Sequence, residues 1–359
     1  MAKKAPTGPS GLIVVDKPAG MTSHDVVSKM RWIAGTRKVG HAGTLDPMAT
    51  GVLILGVNKA TRLLTYLVGE KKTYTATIRL GVSTLTDDAD GQVTSIAQEG
   101  TLAAISQEAI QAQIAKLTGD IMQVPSAVSA IKVQGVRSYT RVRSGEEVEL
   151  QARPISVHSF DLHQIRPAAA SYQLDDQQVK VQALDLDVTV TCSAGTYIRA
   201  LARDLGAALG AGAHLTALRR TAIGQIRAED AYSLDELIAG READQAAPLL
   251  PLEEAARRLF QTRQLTAQEA TDLANGRPIS PSPAASDSPA ASLSPAPASW
   301  PKARSGSQGG HDKPTTEGIS AAFAPQGSLV ALIENTRLRR QEVAAPLLVF
   351  EAGTTFKEN

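Results

Sequence analysis

Apolar positions along the chain fall into three patterns, each predicting a different element. Two runs are continuous: "GLIVVDK" (11–17) and "VLILGV" (52–57) carry large aliphatic residues with no alternation. Strands buried on both faces read this way. Pro18 and Gly20 stop the first. Two runs alternate. In "KKTYTATIRLG" (71–81), Tyr74, Ala76, Ile78 and Leu80 share one face, and Thr73, Thr75, Thr77 and Arg79 share the other; "ALDLDVTVTC" (183–192) repeats the pattern. Both predict half-buried strands. Four runs have helical spacing. "SHDVVSKMRWIAG" (23–35) places Val26, Val27, Met30 and Ile33 in one stripe, with Ser23 set to cap it and Gly35 to end it. "NKATRLLTYLVG" (58–69) is bracketed by Asn58 and Gly69, and "SQEAIQAQIAKLTG" (106–119) is amphipathic. "TYIRALARDLGAALG" (196–210) turns Ile198, Leu201, Ala202, Leu205 and Leu209 toward a core. Strands and helices mix without a regular βαβ repeat, so the predicted class is α+β with an antiparallel or mixed sheet.

Near residue 240 the pattern resets. "LTAQEATDLANGRPI" (265–279) predicts a short strand, a small helix and a turn. Residues 278–326 then hold nine of the chain's 19 prolines among alanines and serines. Such a segment buries too little apolar surface to offset its ordering entropy and is expected to be disordered. "GSLVALIEN" and "APLLVFEA" resume as strands. The expected organisation is a flexible start at 1–10, one domain at 11–235, and a small β-rich domain at 240–359 interrupted by an insert at about 280–326. Within that insert, residues 281–326 are expected to form a dispensable surface loop.

Charge changes the picture little. The 359 residues carry a net charge of +1. A polyanion would therefore meet local patches. Candidates are Arg31/Arg37/Lys38, Arg137/Arg141/Arg143 and Arg219/Arg220, each of which reads most simply as a solvated face. The single cysteine, Cys192, excludes an intrachain disulfide and a cysteine-cluster metal site, and it falls on the apolar side of its strand. "MAKKAPTGPS" has no signal-type apolar core and no run is long enough to span a membrane, so a cytoplasmic chain is expected. Phosphate-cradling loops, dinucleotide fingerprints, paired histidine ligands and nucleophile elbows are missing. "DDADG" (87–91) has a superficial calcium-loop look but lacks the later bidentate acid, so it reads as a turn.

What remains is "GHAGTLDPMATG" (40–51), too rich in glycine for a helix and too broken for a strand. It holds one acid, Asp46, directly before Pro47 and five positions after His41. Asp before Pro is common in turns, so a structural and a chemical reading of Asp46 both stand, and His41 reads most simply as structural. Tyr74 lies on an apolar strand face, where packing is its simplest role. Arg199 is less ordinary. With Thr196 as N-cap it falls at N3, where a cation opposes the helix dipole. That position calls for a partner, and a carboxylate is the natural one, although an arginine reaching past the helix end to water fits as well.

The segments "GHAGTLDPMATGVLILGVNKATRLL", "KKTYTATIRLG", "DADG", "VPSAVSAIKVQG", "CSAGTYIRALARDLG" and "HLTALRRTAIG" together resemble the TruB-type tRNA pseudouridine synthases, in order from about residue 11 to 227. The C-terminal part resembles the family's PUA-like RNA-binding domain. The resemblance implies isomerisation of the T-loop uridine of tRNA to pseudouridine, with no cofactor and no metal. It implies that Asp46 is the nucleophile or base acting on ribose or uracil. Arg199 would pair with Asp46 and fix its direction. Tyr74 would stack on the target uracil and serve in proton transfer, Tyr197 and Leu218 would line the same pocket, and His41 would support the gap left by the flipped base. The basic clusters would grip phosphates of the T-arm. Lys17 and Pro18 match the family's "DKP" and are read as structural. The implied partner is tRNA, with no membrane and a monomeric chain. Two other functions remain compatible with the sequence: a tRNA-binding or folding factor, and a pseudouridine synthase with a different RNA target.

Overall fold

A computed structural model describes residues 8–126, 150–174, 177–282, 316 and 318–357, and the backbone at 132–133 and 136–137. Most of the expected flexible start, the side chains of Arg137, Arg141 and Arg143, the end of "VPSAVSAIKVQG" and residues 283–315 lie outside the described residues. The chain runs β1 (Gly11–Lys17), α1 (Ser23–Ile33), β2 (Val39–Ala42), β3 (Thr50–Val57), α2 (Leu64–Val68), β4 (Lys72–Leu80), β5 (Val82–Thr84), β6 (Val93–Ile96), α3 (Gln107–Lys116) and β7 (Gly119–Gln123). A separate two-stranded pair, β8 (Lys132–Val133) and β9 (Val136–Arg137), follows. Then come β10 (Arg153–Leu174), β11 (Gln177–Cys192), α4 (Ile198–Ala208), β12 (Ala213–Ile223), β13 (Ile226–Arg227), β14 (Tyr232–Ser233), α5 (Leu234–Glu242), β15 (Leu250–Pro251) and α6 (Leu252–Leu259). The last part holds β16 (Gln261–Gln264), α7 (Ala267–Ala274), β17 (Ile319–Phe323), β18 (Leu329–Leu338) and β19 (Gln341–Val349).

The main sheet has the order β14-β1-β3-β12-β4-β11-β10-β7, with β2 beside β3, β13 beside β12 and β15 beside β1. The β1/β14 and β3/β12 pairs are parallel and the others antiparallel. The fold is therefore α+β with a mixed sheet and a separate small β domain. The continuous apolar runs explain themselves. In β1 and β3, Ile13, Val15, Leu53 and Leu55 pack against α1 and α5, while Leu12, Val14, Val52 and Ile54 face α2 and α6. The alternating runs, β4 and β11, bury Ile78, Leu80, Leu186 and Val188 with Leu201 and Leu205 of α4.

The small sheet, β16-β17-β18-β19, docks on the main one through a shared core that includes Phe260, Ile319, Phe323, Leu332 and Phe350. Polar contacts fasten the seam: Lys59 Nζ lies 2.7 Å from Glu351, and Arg62 donates to the Val349 carbonyl while its guanidinium lies 5.1 Å from the Phe350 ring centre.

Several details correct the sequence reading. Thr22, not Ser23, caps α1, in a capping box with Asp25. Asn58 does not cap a long helix. It opens a 3-10 turn at φ +53°, and its side chain ties Pro9 to Thr36; the α-helix starts only at Leu64. Tyr197, not Thr196, is the N-cap of α4, which moves Arg199 to N2. The strand expected to open the 265–279 stretch lies before it, at Gln261–Gln264. The main sheet runs on to Pro251, past the expected domain end at 235. The proline-rich insert is shorter than expected, because Ile319–Phe323 inside it forms β17 and Phe323 is fully buried. "ISAAF" has few large residues, so averaging it with its proline-rich flank conceals a strand of mostly small side chains.

Candidate active site

Asp46 sits in the loop between β2 and β3, and three buried side chains hold that loop. Ser23 of α1 bonds both backbone groups of Leu45: its hydroxyl donates to the carbonyl at 3.2 Å and accepts from the amide at 2.9 Å. Lys17 is fully buried and its ammonium donates to the carbonyls of Pro18, Met21 and Pro47 at 2.8, 2.7 and 3.1 Å. Burial lowers its pKa to about 8, against the opposing pull of Asp46. Arg220, 1% exposed, donates to the carbonyls of Gly43 and Val52 at 2.9 and 2.8 Å. Leu45 and Ala49 are buried on either side of Asp46. Gly51 lets β12 come close: a Cβ there would lie 2.1 Å from the Arg220 carbonyl, and its φ is +101°.

The carboxylate of Asp46 is one-third exposed at 34%, and Arg199 approaches it as a fork. Nε lies 2.9 Å from Oδ2, and Nη2 donates to Oδ1 at 3.0 Å. The remaining nitrogen, Nη1, donates to the Thr86 carbonyl at 2.8 Å and to Asp88 Oδ2 at 3.1 Å. Arg199 and Asp88 are both buried, and Asp88 also accepts from Thr86 and from the Asp90 amide. One guanidinium thus serves two carboxylates at a helix start whose dipole opposes it.

The other expected residues fall around this trio. Tyr74 and Leu218 are each 7% exposed and share an apolar cluster with Leu45, Ala49 and Ile198. Burial raises the Tyr74 pKa, which the adjacent Arg220 guanidinium partly opposes by charge and hydrogen bonding. The phenol is therefore neutral at physiological pH. Tyr197 is half-buried, and the Gln123 side chain holds its backbone on both sides, accepting from the amide at 2.9 Å and donating to the carbonyl at 3.1 Å. His41 stands on β2, half-buried, with its ring edge-on to His24 at 5.5 Å. Burial, then the charges of His24 and Arg220, lower its pKa and favour the neutral imidazole.

Asp88 is the residue that sequence reasoning passed over. Its "DDADG" segment reads as a turn and contributes "DADG" to the family resemblance, and neither reading gives Asp88 a partner. Asp88 lies 111 residues before Arg199 in the chain, so no local pattern in the sequence pointed to the pair. The Arg219/Arg220 patch is corrected too. Arg219 forms a bidentate pair with Asp16 at 2.9 and 2.7 Å, and Arg220 is internal, so neither is a free phosphate grip. Arg31, Arg37 and Lys38 do face solvent, next to Trp32. Cys192 is buried, which raises its thiol pKa to about 11. Among the described residues no group of three or more His, Cys, Asp or Glu is placed to hold a metal, and no helix is long and apolar enough to cross a membrane.

A partly exposed loop carboxylate on a mixed sheet, forked by a buried arginine beside an apolar wall, defines the candidate site. The family model described as "TruB family pseudouridylate synthase (N terminal domain)" matches residues 31–198, and "tRNA pseudouridylate synthase B C-terminal domain" matches residues 199–257. The chain is 53% identical over 345 residues to "tRNA pseudouridine synthase B" of Paenarthrobacter aurescens (strain TC1), covering 96% of each chain. It is 48% identical over 338 residues to the protein of that name in Streptomyces coelicolor (strain ATCC BAA-471 / A3(2) / M145), covering 94% of this chain and 97% of the other. Among solved structures, a chain in "Structure of H/ACA RNP bound to a substrate RNA containing 2'-deoxyuridine" shares the fold, with TM-score 0.59 at 22% identity over 97% of this chain and 87% of that one. The chain belongs to the TruB family of pseudouridylate synthases. It is an isomerase that converts uridine in RNA to its C-linked isomer.

Proposed function

We propose that this chain isomerises the T-loop uridine of tRNA, position 55, to pseudouridine, with Asp46 as the nucleophile. The carrying observation is the fork between Arg199 and Asp46, which holds one partly exposed carboxylate in a fixed pose. The tRNA substrate is supported by the relatives' shared name, tRNA pseudouridine synthase B.

The reaction balances within the substrate. The bond from uracil N1 to ribose C1′ breaks, the base turns in place, and C5 bonds to C1′. The proton leaves C5 and N1 gains one. Asp46 contributes by attack on ribose or uracil during this exchange, and Arg199 fixes the direction of its oxygens. Leu218 and the face of Tyr74 form the wall against which the base turns. The neutral phenol of Tyr74 donates a hydrogen bond or passes a proton only when a partner takes its own. Tyr197 lines the same pocket, and His41 is suited to support the gap left by a base that has left its stack.

The test is to treat unmodified tRNA transcript with the purified chain and map pseudouridine at each uridine. The expected product is one pseudouridine in the T-loop. Modification elsewhere, or none, overturns the assignment.

Arg199→Met should abolish turnover and also destabilise the fold. Without the guanidinium, Asp88 is a buried charge with no cation, and breaking a buried pair costs about 3–5 kcal/mol. The thermal midpoint and single-turnover rate of the variant check both clauses. A variant that melts like the parent and still turns over shows the fork to be dispensable.

A further inference from the structure

The small domain carries a strained feature that its fold does not require. β18 and β19 pair as a hairpin with Leu338 opposite Gln341, so Arg339 and Arg340 form a two-residue turn. Both have positive φ, +48° and +71°. A turn of this kind needs left-handed backbone at both positions, which Asn-Gly adopts readily and side chains such as arginine do not. The ribbon from Glu334 to Glu342 is exposed on all sides, so no core packing fixes the choice of residue. Its base is braced, since Asn335 and Ser282 exchange two hydrogen bonds at 2.8 and 3.0 Å.

The charges at the tip are available. Among the described residues neither Arg339 nor Arg340 forms an ion pair, and Arg337 makes only a loose contact with Glu342 at 3.8 Å, both side chains being more than two-thirds exposed. Leu338, between these arginines, is 46% exposed. The ribbon's own acids, Glu334 and Glu342, lie behind the turn. Because the small sheet shares its core with the main sheet, the tip stands at a set displacement from Asp46.

We propose that this arginine-tipped ribbon is an RNA-contacting prong, in which Arg339 and Arg340 grip the phosphate backbone of the tRNA substrate away from the target uridine. Positive charge is what arginine adds at two positions where it costs backbone strain, and a polyanion is the partner that charge selects. Unpaired guanidiniums on a projecting ribbon bind phosphate with little dependence on sequence. Leu338 supplies an apolar contact for a sugar edge.

The proposal rests on tRNA being the substrate, and its test separates the two. The double variant Arg339→Asn with Arg340→Gly relaxes the turn and removes both charges. Its melting temperature should rise while its tRNA affinity falls about tenfold at low salt, with the slope of log affinity against log salt shallower by about 1–2. Its single-turnover rate at saturating tRNA should equal the parent's. The variant Arg339→Lys with Arg340→Lys should recover most of the affinity. Unchanged affinity and salt slope in the Asn-Gly variant overturns the prong. So does a fall in its melting temperature, which would make the arginines structural, or a Lys-Lys variant as weak as Asn-Gly, which would take charge out of the account. A parent chain that makes no pseudouridine in tRNA would instead remove the substrate reading beneath it.

Discussion

Asp46→Asn is expected to abolish isomerisation and to leave tRNA affinity nearly intact. The amide keeps the shape of the carboxylate but loses its charge and its nucleophilic oxygen. The loop need not move, because its anchors are Ser23, Lys17 and Arg220, none of which contacts the Asp46 side chain through the hydrogen bonds that hold the backbone. Arg199 keeps Asp88 as a buried partner 3.1 Å away, so no cation is orphaned and the fold stays intact. Affinity survives because phosphate contacts supply most of the binding free energy of a protein on nucleic acid. The checks are a single-turnover assay on T-arm RNA and a filter-binding titration at matched salt. Turnover within about tenfold of the parent would remove Asp46 from the nucleophile's role, since losing an essential nucleophile costs several orders of magnitude.

The sequence made much of this site legible, for physical reasons that differ by residue. Asp46 stood out because glycine and proline around it preclude regular structure, which left the acid as the loop's only charged group. Arg199 stood out because a cation at a helix start is costly unless paired. Both signals are local. Asp88 and Gln123 gave none that was local: each reaches α4 from a segment more than 70 residues earlier, and such a contact exists only once β4, β11 and β12 are assembled. Arg220 misled for the same reason. Next to Arg219 it reads as a surface pair, yet on a strand the two point to opposite faces, and one of those faces lies beneath the Asp46 loop. Among the elements, the alternating and continuous strands were read correctly because their period is set by burial, while helix starts were misplaced. Thr22 caps α1 beside an equally capable Ser23, α4 takes Tyr197 as its N-cap without a side-chain hydrogen bond, and a 3-10 turn at Asn58 delays α2 to Leu64.

A chain lacking residues 281–326 is expected to lose its small domain, whereas one lacking only 283–315 should keep it. β17 is an interior strand of the four-stranded sheet, paired with β16 on one side and β18 on the other. Removing it strips both neighbours of a hydrogen-bonding partner and takes Ile319, Ala321 and Phe323 out of the shared core. Phe323 alone also lies beneath the Arg257 guanidinium, 3.7 Å from the ring centre. Truncating one buried Phe to Ala costs about 3–5 kcal/mol, and deleting the strand does more, with Phe260, Leu332 and Phe350 then facing water. The shorter deletion spares all of this. It keeps the Ser282–Asn335 bonds and the two bonds from Thr316 to Glu70 at 2.9 and 3.1 Å, and a flexible Gly/Ser linker changes only loop closure, about 0.6 kcal/mol per doubling of length. Differential scanning fluorimetry, binding of a hydrophobic dye and turnover on full-length tRNA at two salt concentrations distinguish the two chains. The longer deletion should melt early and bind dye, while the shorter should match the parent in melting and in rate. A longer deletion that melts like the parent would show β17 to be dispensable. A shorter deletion with parental melting and a salt-sensitive loss of turnover would make Lys302, Arg304 and Lys313 an RNA-binding arm.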